Sequence, residues 1–124
     1  MPQLSKTQRH RLVALALALA LALLVSACGG DEPCPEPSTV SYRAHVQFVM
    51  SRHCLSCHDV ALKGLGVRNQ APESHNYNTY SEVFARADDI QRRLSAGDMP
   101  PGGGVPSCDK QTFASWITNG KPER

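Results

Sequence analysis

Two cysteines and a histidine, Cys54, Cys57 and His58, are the residues whose types and spacing most clearly indicate chemistry. Cys-x-x-Cys-His is the attachment signature of a c-type haem. Two thiols about one helical turn apart can each add to a vinyl group of one porphyrin, and the histidine that follows can direct its imidazole towards the iron. We therefore expect one covalently bound haem c, with His58 as an iron ligand.

Three other interpretations of this motif are a redox dithiol, half of a zinc site, and two unrelated structural cysteines. A redox dithiol is expected near a βαβ pattern, and the sequence shows none. A zinc site needs a second pair of ligands at a suitable spacing. The other cysteines are scattered singly, at Cys28, Cys34 and Cys108, so haem attachment is the favoured interpretation.

Met99 is the expected second iron ligand. It lies 41 residues beyond His58 and is followed by Pro100 and Pro101. The two prolines restrict the backbone and help to hold the sulfur of Met99 at a fixed position. The alternative is an ordinary methionine that fills a gap in the core. His75, in a polar loop, is the best alternative ligand. Three further residues are less suited to the role: His45, His53 and Met50.

Residues 1–27 have the pattern of a secretory signal segment. Three basic residues precede an apolar run of 14 residues, 12–25, which is shorter than the roughly 20 residues that a membrane span needs. An uncleaved membrane anchor is the alternative. Val25-Ser26-Ala27-Cys28 resembles a bacterial lipobox, which implies that Cys28 carries a diacylglyceryl group and begins the mature protein. Two acyl chains would give stable anchoring.

This lipobox resemblance implies a lipoprotein on the periplasmic side of a bacterial membrane. Gly29, rather than an aspartate, follows Cys28 and slightly favours the outer membrane. Without residues 1–27 the chain has ten Lys and Arg against eleven Asp and Glu, a net charge of −1. No clustered basic face is evident, so the composition argues against nucleic-acid binding.

Cys34 and Cys108 remain once lipid and haem have taken the other three cysteines. Spare cysteines in an oxidising compartment usually pair, so we predict a Cys34–Cys108 disulfide. A loop of this size would contribute roughly 4 kcal/mol by the chain-entropy model.

The intervening residues predict an all-α domain. Residues 28–38 read as a lipidated, proline-rich tether and residues 39–124 as the haem domain. Ser38 or Thr39 is expected to cap a first helix that runs to about Arg52. The inner face of that helix is predicted to contain Tyr42, Val46, Val49, Met50 and His53. No segment alternates with period two, so we expect little or no strand.

Later elements are predicted from their end signals. Residues 68–78 are polar and are expected to form a loop, while Leu62, Leu65 and Val67 before it could line a haem edge. Thr79 and Glu82 fit a capping box that opens one helix, or two broken near Ala87, ending at Gly97. Asp109 is expected to cap a last helix over residues 110–119, which Gly120 ends.

Residues from about 40 to 121 resemble a small class I cytochrome c domain of the kind found on bacterial lipoproteins. The matching motifs are Cys54–His58, Met99-Pro100-Pro101-Gly102, and Trp116-Ile117-x-x-Gly120. The resemblance implies thioethers at both cysteines, axial ligands His58 and Met99, and a crossing of the first and last helices near one haem edge.

One departure concerns that helix crossing. Many members of this family carry Gly and an aromatic residue eight and four positions before the first cysteine, where this chain has Val46 and Met50. A looser or differently angled crossing is therefore expected, with Phe113 and Trp116 supplying the aromatic surface.

A His/Met ligand pair fills both axial positions of the iron, so the expected function is electron transfer rather than catalysis. The redox partners are unidentified, and a monomer is expected. Two other functions stay open at this point. One is an enzyme or gas sensor with an open sixth position, and the other is a docking module whose haem is purely structural.

Overall fold

A computed structural model describes residues 7–8 and 33–124 of the chain. Within these residues the protein is all-α, with helices and turns and no β-strand. No helix in the described residues is long and apolar enough to span a membrane. Apart from residues 7–8, the predicted signal segment lies outside the described residues, as do the lipid site at Cys28 and the first half of the tether.

Residues Cys34–Arg124 form one compact unit built from short helices. A 3₁₀ turn, Pro37–Thr39, comes first, and a π-helical turn, Tyr42–Val46, leads directly into helix α1, Gln47–His53. The remaining helices are α2 (Leu55–His58), α3 (Tyr80–Ala85), α4 (Ala87–Ala96) and α5 (Ser107–Thr118).

The predicted cap of the first helix is wrong. Helical structure starts at Tyr42, after Val40 and Ser41 have taken extended conformations. The side-chain amide of Asn119 donates to the carbonyl oxygens of Pro37 (2.7 Å) and Val40 (3.4 Å). Val40 itself is buried in the core. These hydrogen bonds hold the backbone before Tyr42, so the first helix begins later than predicted. Asn119 is distant in sequence, so the local sequence does not reveal the contacts.

The capping box at Thr79 is confirmed. The Thr79 hydroxyl accepts from the backbone N–H of Glu82, and the Glu82 carboxylate accepts from the backbone N–H of Thr79 at 2.9 Å. The helical stretch is two helices, because Arg86 leaves helical geometry between α3 and α4. Gly97 ends α4 in the left-handed conformation, with φ of 74°.

Helix α5 begins at Ser107, earlier than predicted, and Asp109 does not cap it. Asp109 lies in the first turn, where a carboxylate is favourable, and it pairs with His53 of α1 instead. The helix ends in a Schellman motif. Gly120 has φ of 81° and donates to Ile117, while Lys121 donates to Trp116.

Aromatic side chains at one end of the domain join α5 to the start of the first helix. Trp116 and Phe113 are fully buried, and their ring centroids lie 5.5 Å apart. The Tyr42 ring lies 6.0 Å from Trp116, and the Pro122 carbonyl accepts from both the Trp116 indole and the Tyr42 backbone N–H. This cluster holds the start of the first helix, which leads to the Cys-x-x-Cys-His motif, against α5 and the residues that follow it.

Candidate haem site

A cavity of about 280 Å³ brings together Cys54, Cys57, His58 and Met99. We call it the motif cavity. Its size is near the lower end of the range for small-molecule sites, roughly 300–1,000 Å³. The rest of its lining is mixed. Its apolar and aromatic residues are Ala71, Pro72, Tyr77, Ile90, Leu94, Pro100 and Pro101, and its polar or charged residues are His53, Asn69, Gln70, His75, Asp89 and Arg93. A larger groove of about 620 Å³, lined in part by Phe48 and Tyr80, contains none of these four residues.

The short helix α2 places the motif residues on one wall of the cavity. Cys54 ends α1 by donating to the Met50 carbonyl at 2.9 Å, and its own carbonyl then accepts from Cys57 (3.1 Å) and His58 (2.9 Å). One continuous turn therefore carries both thiols and the imidazole. This is the arrangement that attachment of a single planar group at two vinyl positions requires.

The orientation of the His58 ring is fixed by two contacts. Its Nδ1 lies 2.7 Å from the carbonyl oxygen of His75, so Nδ1 carries the proton and donates it to that bond. The ring also stacks on Tyr77, with centroids 4.4 Å apart and planes 24° apart. Nε2 has no hydrogen bond within the described part of the chain, which leaves it available to a metal.

The pKa of His58 lies below its ordinary value. Burial is the main cause, and the nearby Arg68 charge adds to it, while the hydrogen bond to the His75 carbonyl opposes it. The neutral imidazole, which is the form that binds metals, is therefore favoured near neutral pH.

Cys54 does not have the lowered thiol pKa of a reactive dithiol. Burial, followed by the neighbouring Cys57, raises the pKa of Cys54 to about 12, whereas reactive Cys-x-x-Cys pairs have lowered pKa values. Nor do three His, Cys, Asp or Glu side chains gather as a metal-binding group anywhere in the described residues. The raised pKa of Cys54 argues against the dithiol interpretation.

Met99 reaches the cavity from the loop that follows α4. The left-handed Gly97 ends the helix, and Asp98 is held by an ion pair with Arg93 at 2.8 Å. On the other side of Met99, the Pro100 carbonyl accepts from Gly103 at 2.8 Å and closes a turn. The loop is thus anchored on both sides of the methionine, which is 37% exposed.

Of the four competing ligands, two line the motif cavity and two do not. His75 lines the cavity, but its backbone carbonyl is bonded to Nδ1 of His58. His53 also lines the cavity, and its Nε2 is 2.7 Å from the Asp109 carboxylate. His45 lies outside the cavity lining and accepts from the Ser41 N–H. Met50 is buried in the core, as predicted.

The predicted apolar edge at Leu62, Leu65 and Val67 is wrong. Leu65 and Val67 are 53% and 63% exposed, and none of the three lines the motif cavity. The chain turns here, with Gly64 at φ of 85° and the Arg68 N–H donating to the Gly64 carbonyl. The turn directs Arg68 inward and Leu65 and Val67 outward, while Leu62 is half-buried.

Arg68 was not identified from the sequence, yet it is fully buried beside the site. Its guanidinium donates five hydrogen bonds, and all the acceptors are backbone carbonyls of residues 59–75. An arginine in a polar, glycine-containing segment ordinarily predicts an exposed side chain. No local pattern in the sequence marks it as buried.

Cys34 and Cys108 are joined in a disulfide, with their Cα atoms 5.4 Å apart. The bond connects the residue at the start of the compact unit to the first turn of α5. Cys54 and Cys57 are the free cysteines among the described residues, so both thiols remain available to the motif cavity.

Comparisons with protein-family models, with curated proteins and with solved structures find no match to this chain. The functional argument therefore rests on the residues and their geometry.

Proposed function

We propose that this protein is a monohaem c-type cytochrome that carries one electron at a time. Cys54 and Cys57 would hold the haem through thioethers, and His58 and Met99 would be its axial ligands. The observation that carries the proposal is the His58–His75 hydrogen bond, which occupies Nδ1 and leaves Nε2 unbonded, while His58, both cysteines and Met99 line one cavity. Bound haem would supply a change between ferric and ferrous iron.

The residues around the haem would shift the equilibrium between the two iron states towards ferrous iron. Thioether ligation and an apolar, buried surrounding both favour the less charged ferrous state and so raise the reduction potential. Ile90, Leu94 and Tyr77 supply that surrounding from α4 and from the loop before α3. The His75 carbonyl orients the imidazole and keeps its proton on Nδ1.

Met99 is a better second ligand than His75. The His75 carbonyl accepts from Nδ1 of His58, the ring nitrogen that would not bind the iron. The His75 backbone therefore lies beside Nδ1, on the opposite side of the imidazole from Nε2. A second ligand would therefore have to come from another part of the chain. Met99 belongs to a different loop, and turns on both sides restrict it.

Two protein ligands leave the iron no position for a substrate, which supports a carrier rather than an enzyme. The proposal includes a lipid anchor at Cys28 and a location on the periplasmic side of a bacterial membrane, with the outer membrane slightly favoured. That part rests on the sequence of residues 1–28, and export would bring the motif into a compartment where disulfides persist.

Replacement of each of two methionines tests the ligand assignment. We expect Met99→Leu to abolish the near-red absorption band that methionine–iron ligation gives and to lower the reduction potential. Met50→Leu is the matched control, since Met50 is buried in the core with 1% exposure, and it should keep both. An unchanged band in Met99→Leu would show that another residue is the ligand.

Carbon monoxide distinguishes the carrier from the open-site alternative. The reduced wild-type protein should bind carbon monoxide poorly, and Met99→Leu should bind it readily. Ready binding by the wild-type protein would favour a gas sensor or an enzyme instead.

A further inference from the structure

Arg68 is the most completely buried charged residue in the described part of the chain, with 0% exposure. Its Nε donates to Ala71 at 3.0 Å. One Nη donates to Asp59 (2.6 Å) and Leu62 (3.2 Å), and the other to Pro72 (2.9 Å) and His75 (3.1 Å). The guanidinium therefore gathers carbonyls from both ends of the 59–75 loop around one point.

One of these carbonyls is shared with the predicted iron ligand. The oxygen of His75 accepts from Nδ1 of His58 at 2.7 Å and from the guanidinium of Arg68 at 3.1 Å. Arg68 and His58 are thus linked through a single atom. Displacement of Arg68 would free the carbonyl that fixes the His58 ring.

The arrangement is costly, because a buried charge without a carboxylate partner is normally unfavourable. No ion pair of Arg68 is present within residues 33–124, and five backbone carbonyls take the place of a counter-ion. A positive charge is consequently held beside His58 in an interior where charges are weakly screened.

We propose that Arg68 is a positioning residue for His58 that also raises the reduction potential of the bound haem. This inference rests on the proposed function. Arg68 draws electron density from the His75 carbonyl, which makes that oxygen a weaker acceptor from His58 and the imidazole a weaker electron donor. The guanidinium charge acts in the same direction, because a nearby positive charge disfavours the more charged ferric state.

The test uses the haem-loaded full chain with Arg68→Gln, Arg68→Lys and, as matched control, Arg86→Gln. Arg86 donates to the Ser74 carbonyl of the same loop at 3.3 Å from a half-buried position, without a hydrogen bond to the His75 oxygen. In Arg68→Gln we expect the ferrous-to-ferric ratio at a fixed potential to fall roughly tenfold. That change corresponds to a midpoint about 59 mV lower for one electron.

Arg68→Lys should lower the potential by less, because it keeps the charge. It cannot make five hydrogen bonds in a plane, so the His58 ring should still rotate. Haem methyl shifts in the NMR spectrum of the oxidised protein report that orientation, and they should change in both Arg68 variants. Arg86→Gln should match the wild type in both measurements. A midpoint in Arg68→Gln equal to that of Arg86→Gln overturns the proposal.

A measurement on the wild-type protein covers the case in which the variants do not fold. In the reduced state, the guanidinium protons of Arg68 should give separate, slowly exchanging NMR signals, because five carbonyls restrict rotation. A single averaged signal overturns the proposed positioning role. If the wild-type protein carries no covalent haem, the proposed function is wrong. If haem is attached and Arg68→Gln has the midpoint potential of the wild type, only the role of Arg68 is wrong.

Discussion

Removal of the Cys34–Cys108 disulfide should cost a large part of the stability of the domain. The bond joins cysteines that are 74 residues apart and closes most of the described chain into one loop. In the chain-entropy model, a loop of this length restricts the unfolded state by about 4.5 kcal/mol at 25 °C. Small domains have a total stability of roughly 5–15 kcal/mol.

The assay is urea unfolding of the haem-loaded double variant Cys34→Ser, Cys108→Ser against the wild type. We expect the free energy of unfolding to fall by about 3–4.5 kcal/mol, since covalent haem already restricts part of the unfolded chain. A reductant supplies the matched control. With ascorbate in every sample to keep the haem iron ferrous, the disulfide reductant should destabilise the wild type to a similar degree and leave the double variant unchanged, because thioethers are not reduced.

Two results would contradict this reasoning. One is a loss below about 1 kcal/mol, which would mean that the loop entropy is compensated elsewhere. The other is alkylation of both Cys34 and Cys108 in native protein without reductant, which would mean that the bond is not formed.

Three substitutions test the contacts that position the site, each by the free energy of unfolding in urea. Thr79→Ala removes the hydroxyl of the capping box at α3 and should cost about 1 kcal/mol. Trp116→Phe leaves a gap in the core and removes the indole bond to Pro122, for a loss of about 2 kcal/mol. Asp109→Asn weakens the contact with His53 that joins α5 to α1 and should cost about 1 kcal/mol.

Matched controls for these substitutions are available at exposed positions of the same domain. Thr118→Ala, Phe48→Leu and Asp88→Asn change similar groups that are exposed, and each should alter the stability by less than about 0.5 kcal/mol. If a variant and its control lose the same free energy of unfolding, the contact does not have the role assigned to it.

The sequence predicted the features that depend on a few neighbouring residues. The Thr79 and Glu82 capping box and the stop at Gly97 are confirmed, because their hydrogen bonds join residues three or four apart. The all-α class follows in the same way from helical periodicity and from end signals that lie close together in the chain.

Other features depend on residues that are distant in sequence, and these were missed. The hydrogen bonds from the Asn119 side chain determine where the first helix begins. The contact with His53 determines that the Asp109 carboxylate pairs with α1 and does not cap α5. The inward path of Arg68 depends on a turn at Gly64 and on carbonyls as far away as His75. Residue type and spacing alone do not determine how such a loop closes on itself.

The central claim is that His58 and Met99 bind a covalent haem that exchanges one electron. A redox titration of the mature protein, followed by its visible absorption, tests this claim most directly. We predict a single reversible one-electron transition, with the methionine–iron band present in the oxidised state and haem that stays attached after denaturation. Protein from a haem-attaching host that shows no redox-active absorbance would contradict it.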